Sequence, residues 1–222
     1  MSGNGALFLD PAKTALLIVD MQNDFLHRDG YFARCGLPVE ALTPAIVATT
    51  ALRDGLPASA RIIYTIQLYE PDGSDDIVRL HRIKPVALAR SGDEIPVQRG
   101  NWGAEIVSEL RPRSHETVIE KHRFDAFHQT ELETLLRGWG ITTVLFAGVI
   151  VDVCVETSLR SAFMRDFDVI LAQDCVAGWS EHHLARTADV VTRVFGASLS
   201  NAQIMAAFGD GAVAPARSTG TR

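Results

Sequence analysis

Three residues of this chain have side chains that can do covalent chemistry together: Asp20 in IVDMQNDF, Lys121 in VIEKHRF and Cys154 in GVIVDVCVETSLRSA. A thiolate attacks a carbonyl, a carboxylate exchanges its proton, and an ammonium keeps both ionised and oriented. Each residue also has a plainer reading. An Asp that ends a strand can cap a turn, a Lys there can be a solvated end, and a lone Cys can be core packing. A thiol at a helix N-terminus, by contrast, is more acidic and more reactive than a buried one. What distinguishes these readings is where the three residues fall relative to the elements around them.

Short β-rich apolar runs alternate with helical stretches along the chain. TALLIVD (14–20), RIIYTIQL (61–68), ETVIEK (116–121), TTVLFAG (142–148) and DVILAQD (168–174) read as buried strands, with a sixth short one at GASLS (196–200). Between and after them, 38–54, 102–110, 130–139, 154–165, 182–194 and 201–208 read as helices. Such alternation predicts an α/β fold in three layers, a mostly parallel sheet with helices on both faces. Ligands in such folds bind outside the carboxyl ends of the strands. Asp20 ends the first strand, Lys121 ends the third and Cys154 follows the fourth, so all three converge on that edge.

The stretch 69–100 interrupts the rhythm with Pro71, Gly73, Pro85, Gly92 and Pro96, and reads as a long functional loop or an oligomer contact. The tail GDGAVAPARSTGTR (209–222) is small and polar and is expected to be disordered, leaving one domain over 12–208. Hydrophobic residues make up 47% and charged residues 22%, the balance of an ordinary globular chain. A net charge of −6 argues against a nucleic-acid surface. Three cysteines are too few and odd in number for a disulfide scaffold, and no apolar run reaches membrane-spanning length. These features predict a reduced, cytoplasmic, soluble protein whose partner is a small molecule, not nucleic acid or a membrane. Cys35 and Cys175 read as structural.

ALLIVDMQNDF, EKHRFDAF and GVIVDVCVETSLRSA, taken in order and spacing, resemble the three signature segments of the isochorismatase-like cysteine hydrolase superfamily. That superfamily includes nicotinamidases and N-carbamoylsarcosine, biuret and ureidoacrylate hydrolases. The resemblance implies a six-stranded parallel sheet and assembly as a homodimer or homotetramer. It makes Asp20, Lys121 and Cys154 a catalytic triad with Cys154 as nucleophile. It also implies a cis, non-proline Val149–Ile150 peptide and an oxyanion hole built from the amides of Ile150 and Cys154. RGNWGAEIVSEL, EKHRF and CVETSLR look closest to the ureidoacrylate and biuret branches.

Two positions depart from the family pattern. Val151 stands where a Thr is usual, and Asp125 where a Ser is usual. Asp125 either adds a negative charge near Lys121 or is a solvated loop acid. Nicotinamidases hold a metal through an Asp-x-His pattern soon after the second strand, and TIQLYEPDGSD contains no His. His81 lacks a spaced partner. His182 and His183 are adjacent on a helix and point about 100° apart. No metal and no cofactor are therefore expected.

Phe25, Trp102 and Phe127 flank the signature segments and either enclose a small planar amide or belong to the core. Asn23 and Gln67 lie just beyond strand ends and can hydrogen-bond a urea-like group. Arg82, Lys84 and Arg99 can hold a substrate carboxylate. The expected activity is a metal-independent cysteine amidohydrolase that cleaves a C–N bond of a small ureido, carbamoyl or amide compound through a thioester. The alternatives are acid-catalysed vinyl-ether hydrolysis, which needs no thiol, and a non-catalytic homologue that uses Cys154 as a reactive thiol.

Overall fold

A computed structural model describes residues 7–75 and 95–209. Six strands, β1 (Thr14–Val19), β2 (Arg61–Gln67), β3 (Thr117–Lys121), β4 (Thr143–Val149), β5 (Asp168–Ala177) and β6 (Ala197–Leu199), form one sheet in the order β3-β2-β1-β4-β5-β6. Every pairing is parallel. The helices are α1 (Asn23–Leu26), α2 (Tyr31–Arg34), α3 (Pro44–Gly55), α4 (Leu132–Gly138), α5 (Glu156–Phe163), α6 (Glu181–Val190) and α7 (Asn201–Gly209). None of the described helices is long and apolar enough to cross a membrane.

The period-two alternation of strand side chains divides the core in two. From β1, Leu16 and Ile18 face one layer with Ala45, Ile46 and Leu52 of α3 and Ile204 of α7. Ala15, Leu17 and Val19 face the other, with Leu132 and Leu136 of α4 and Leu159 and Ala162 of α5. All six residues of β1 are buried, as a central parallel strand covered on both faces requires. The strand order reverses between β1 and β4, which makes their carboxyl ends the switch point where such sheets open a crevice.

Three elements differ from their sequence-based expectations. The 102–110 stretch is not one helix but two short 3-10 turns, Trp102–Ala104 and Ser108–Leu110. The chain between them is extended because it bonds to the exit of β1: Asn23 N–H donates to Glu105 O, Val107 N–H to Met21 O, and Gln22 and Ile106 form an antiparallel bridge. The helix expected from 38 begins only at Pro44, since Pro38 opens a 3-10 turn at Val39–Ala41. The helix expected at 154–165 is preceded by a wide π turn, Val151–Val155, and only then becomes α5. Cys154 thus sits within a π turn and not at the first residue of an α-helix. The tail from 210, and 76–94 of the long loop, lie outside the described residues.

Candidate active site

Asp20 leaves β1 in the left-handed region, with φ +53°, its N–H still bonded to Thr65 O on β2. That conformation is uncommon outside Gly, Asn and Asp, and it turns the carboxylate back over the sheet edge. Thr65 Oγ donates to Asp20 Oδ1 at 2.8 Å. Two residues further along the same face of β2, Gln67 is in register with Lys121 of β3. Lys121 reaches back across β2, and its Nζ lies 2.6 Å from Asp20 Oδ2. The same Nζ donates to Gln67 Oε1 at 2.9 Å and to Arg123 O at 3.0 Å, and lies 3.6 Å from Cys154 Sγ. Asp20 and Lys121 are fully buried, and Cys154 is 9% exposed.

Burial is the largest single effect on Lys121 and would lower its pKa, but the charges of Asp20 and Cys154 and the hydrogen bonds to both together outweigh it and hold the ammonium above its ordinary value. The thiol moves in the opposite sense to the sequence-based expectation of a resting thiolate. Burial pushes Cys154 up to about 12, the attraction of Lys121 falls short of reversing this, and the charge of Asp20 and a hydrogen bond to it push further the same way. The resting site is therefore an Asp20–Lys121 ion pair beside a neutral thiol. The Asp20 carboxylate is thus a charge that disfavours the thiolate.

The Val149–Ile150 peptide is cis, as the resemblance implies. Among the described residues no backbone carbonyl takes the Ile150 N–H, while its carbonyl accepts from Val153 and Val155. Val151, in place of the usual Thr, is fully buried and packs where a Cβ on Gly178 would reach its side chain within 2.8 Å, so a methyl replaces a hydroxyl in a tight apolar contact. Asp125 is neither a free loop acid nor turned to Lys121. Its Oδ1 accepts from Phe127 N–H and its Oδ2 from Ser161 Oγ, both at 2.8 Å, which ties the turn to α5.

The five expected substrate contacts fare differently. Gln67 stands beside Lys121, as above. Phe25 is half-buried and stacks on Phe32 at 4.8 Å, and Phe32 meets Trp179 at 5.1 Å; the three rings form one row in the core layer that also contains Ile150. Asn23 is 6% exposed and uses Nδ2 to hold Trp102 O at 2.9 Å, anchoring a turn. Trp102 itself is 46% exposed, its ring against His27. Phe127 is buried between Phe167 and the Arg165 guanidinium, and the structure places it in core packing.

Arg99 is committed to Glu70 and Glu120. His81, Arg82 and Lys84 lie outside the described residues. His183 faces Asp152 at 3.3 Å while His182 is exposed. Cys175, buried and pushed up to about 12 by that burial, donates to Asn201 Oδ1. A cavity of about 380 Å³ lined by Ile66, Ile106 and Glu120 opens on the opposite face of β2 and β3 and touches none of Asp20, Lys121 and Cys154.

Three contributors escaped the sequence reading. Gln22 is fully buried; its Nε2 donates to Gln67 O and Ala104 O, and its Oε1 accepts Gln67 N–H. Thr65 orients Asp20, and its two-residue spacing from Gln67 on a strand was the available signal. Trp179 follows β5 by two residues and had no such signal.

The isochorismatase domain matches residues 14–203. Ureidoacrylate amidohydrolase RutB of Acinetobacter baylyi is 32% identical over 84% of this chain and 80% of its own length. The protein of the same name from Methylobacterium radiotolerans is 31% identical over 83% and 75%. Among solved structures, N-carbamoylsarcosine amidase from Thermoplasma acidophilum superposes with a TM-score of 0.68 at 26% identity, over 85% of this chain and 96% of that one. A cysteine hydrolase from Pseudomonas syringae pv. phaseolicola reaches a TM-score of 0.77 at 21% identity, over 93% and 98%, and shares the fold. The parallel sheet with its switch point between β1 and β4, the residues gathered there and these matches agree: the chain belongs to the isochorismatase-like hydrolase family.

Proposed function

We propose that this protein is a cysteine amidohydrolase that cleaves a C–N bond of a small ureido, carbamoyl or amide compound, with Asp20, Lys121 and Cys154 as its catalytic residues. The observation that carries this reading is the single buried ammonium of Lys121, 2.6 Å from the Asp20 carboxylate and 3.6 Å from the Cys154 sulfur. A carboxylate, a cation and a thiol share one dry space, where electrostatic effects are larger than in water.

As Cys154 Sγ attacks the carbonyl carbon, its proton passes to Asp20 and the carbonyl electrons move to oxygen. The amides of Ile150 and Cys154 receive that oxyanion; the Ile150 N–H, without a backbone acceptor among the described residues, is available for it. Collapse breaks the C–N bond, the departing nitrogen takes the proton from Asp20, and a thioester remains on Cys154. Asp20 then removes a proton from water, which attacks the thioester and releases the acid and the thiol. Lys121 keeps its charge throughout and holds Asp20 in place.

Neither alternative fits as well. Vinyl-ether hydrolysis leaves the thiol without a part. A redox-sensing cysteine needs an accessible, acidic thiol, whereas Cys154 is buried and pushed up to about 12.

The relatives named ureidoacrylate amidohydrolase and N-carbamoylsarcosine amidase direct the first assay. Ammonia release is measured across ureidoacrylate, N-carbamoyl amino acids, biuret, maleamate and nicotinamide. Turnover of a ureido, carbamoyl or amide compound supports the proposal; no ammonia from any of them, with hydrolysis of a vinyl ether such as isochorismate in a separate assay, overturns it.

A further inference from the structure

The Gln67 side chain is 3% exposed, and its Nε2 is buried with no hydrogen-bond partner. Which end of the amide is which follows from its neighbour. Lys121 Nζ, 2.9 Å away, is a donor with no lone pair, so the atom facing it is Oε1 and the free end is the –NH2. One neighbour fixes the Gln67 backbone, from which this side chain projects. Its N–H is held by Gln22 Oε1 at 2.8 Å and its C=O by Gln22 Nε2 at 2.9 Å. A buried donor left unsatisfied is costly, and the chain keeps one beside the ammonium that contacts the nucleophile.

We propose that Gln67 is a specificity-determining residue whose Nε2 donates to an acceptor on the substrate a few bonds from the attacked carbonyl. This rests on the amidohydrolase reading and narrows it. The site then selects ureido or amide compounds that carry a second carbonyl, a carboxylate or a similar acceptor, and rejects plain alkyl ureas and alkyl amides. The rejection follows from the buried donor: a substrate with only C–H groups there leaves it unpaired, and sites built to hydrogen-bond discriminate strongly against analogues that lack the partner. The polarity is fixed as well, because a substrate –NH2 at that point would face another donor.

Ureidoacrylate and N-propylurea test this, since both carry one ureido group on a three-carbon chain. They differ in the carboxylate and in a C=C bond. The effect of the C=C bond on reactivity is common to wild type and variants and cancels in the change of preference. The wild type is expected to favour ureidoacrylate by at least about 10²-fold in kcat/KM. Gln67→Met removes the donor at similar size and should shrink that preference at least tenfold, whatever its overall activity. Gln67→Glu keeps an oxygen for Lys121 but puts an acceptor where the donor stood, and should shrink it further. A preference unchanged within threefold in both variants overturns the proposal and makes Gln67 only a support for Lys121.

Calorimetric affinities of the two compounds for Cys154→Ala, alone and combined with Gln67→Met, give the same comparison without turnover. If the wild type hydrolyses neither compound, the ureido form of the proposed function fails. The affinity preference of Cys154→Ala then still decides the role of Gln67, and equal or absent binding of both compounds overturns it.

Discussion

Lys121 Nζ lies 2.6 Å from Asp20 Oδ2, and both side chains are fully buried. A fully buried ion pair of this kind is weak evidence for net stability, because desolvation offsets most of the attraction. Removing one partner has a different consequence, since the other charge is left buried alone. Lys121→Met should cost about 3–5 kcal/mol of unfolding free energy, measured by chemical denaturation. The double variant with Asp20→Asn should recover much of that stability and none of the activity. Recovery of activity as well would mean that the pair serves the fold only.

The same carboxylate makes a second prediction with a definite sign. Burial, the charge of Asp20 and the hydrogen bond to it raise the Cys154 pKa to about 12, so the thiol is neutral at pH 7. Iodoacetamide should therefore modify wild-type Cys154 slowly near neutrality and faster as pH rises toward that value. Asp20→Asn removes the opposing charge while Lys121 remains, so the pH midpoint of alkylation should fall. Turnover should nevertheless drop by at least about 10²-fold, the usual worth of a positioned acid or base. Peptide mass mapping separates Cys154 from the half-exposed Cys35. A midpoint that rises, or stays in place, contradicts the assigned electrostatics.

Much of this site was legible in the sequence because parallel α/β folds send strand carboxyl ends to one edge, and Asp20, Lys121 and Cys154 each follow an apolar run. The alternation also gave six strands and their helices. What escaped depends on contacts between segments distant in the chain. The 102–110 stretch has helical spacing, yet its backbone is drawn out by bonds to Met21, Gln22 and Asn23, some 80 residues earlier. Periodicity does not register such pairing. The expected acidity of Cys154 rested on a helix N-terminus, and the structure has a π turn and a buried thiol there. Phe127 and Trp102 lie near the motifs in sequence, and proximity of that kind does not say which way a ring points.

Gly148 ties the switch point to the edge that holds Asp20. Its φ is +117°, and a Cβ there would run into the backbone of Val19, the residue before Asp20. Gly148→Ala should therefore force β4 from β1 or prevent folding, with a loss of about 4 kcal/mol or more by chemical denaturation. A substitution tolerated within about 1 kcal/mol would show that the two strands do not approach as closely as described.

In the proposed reaction Cys154 carries the acyl group, and intact-protein mass spectrometry during turnover reads it directly. With a hydrolysable ureido or amide substrate, rapid acid quenching should trap an adduct equal to the substrate minus its leaving amine. Peptide mapping should place it on Cys154, as a thioester from an amide substrate or as an S-carbamoyl group from a ureido one. Cys154→Ala should keep the fold, form no adduct and lose at least about 10³-fold in turnover. Wild-type turnover by Cys154→Ala, or an adduct elsewhere than on Cys154, would contradict the account.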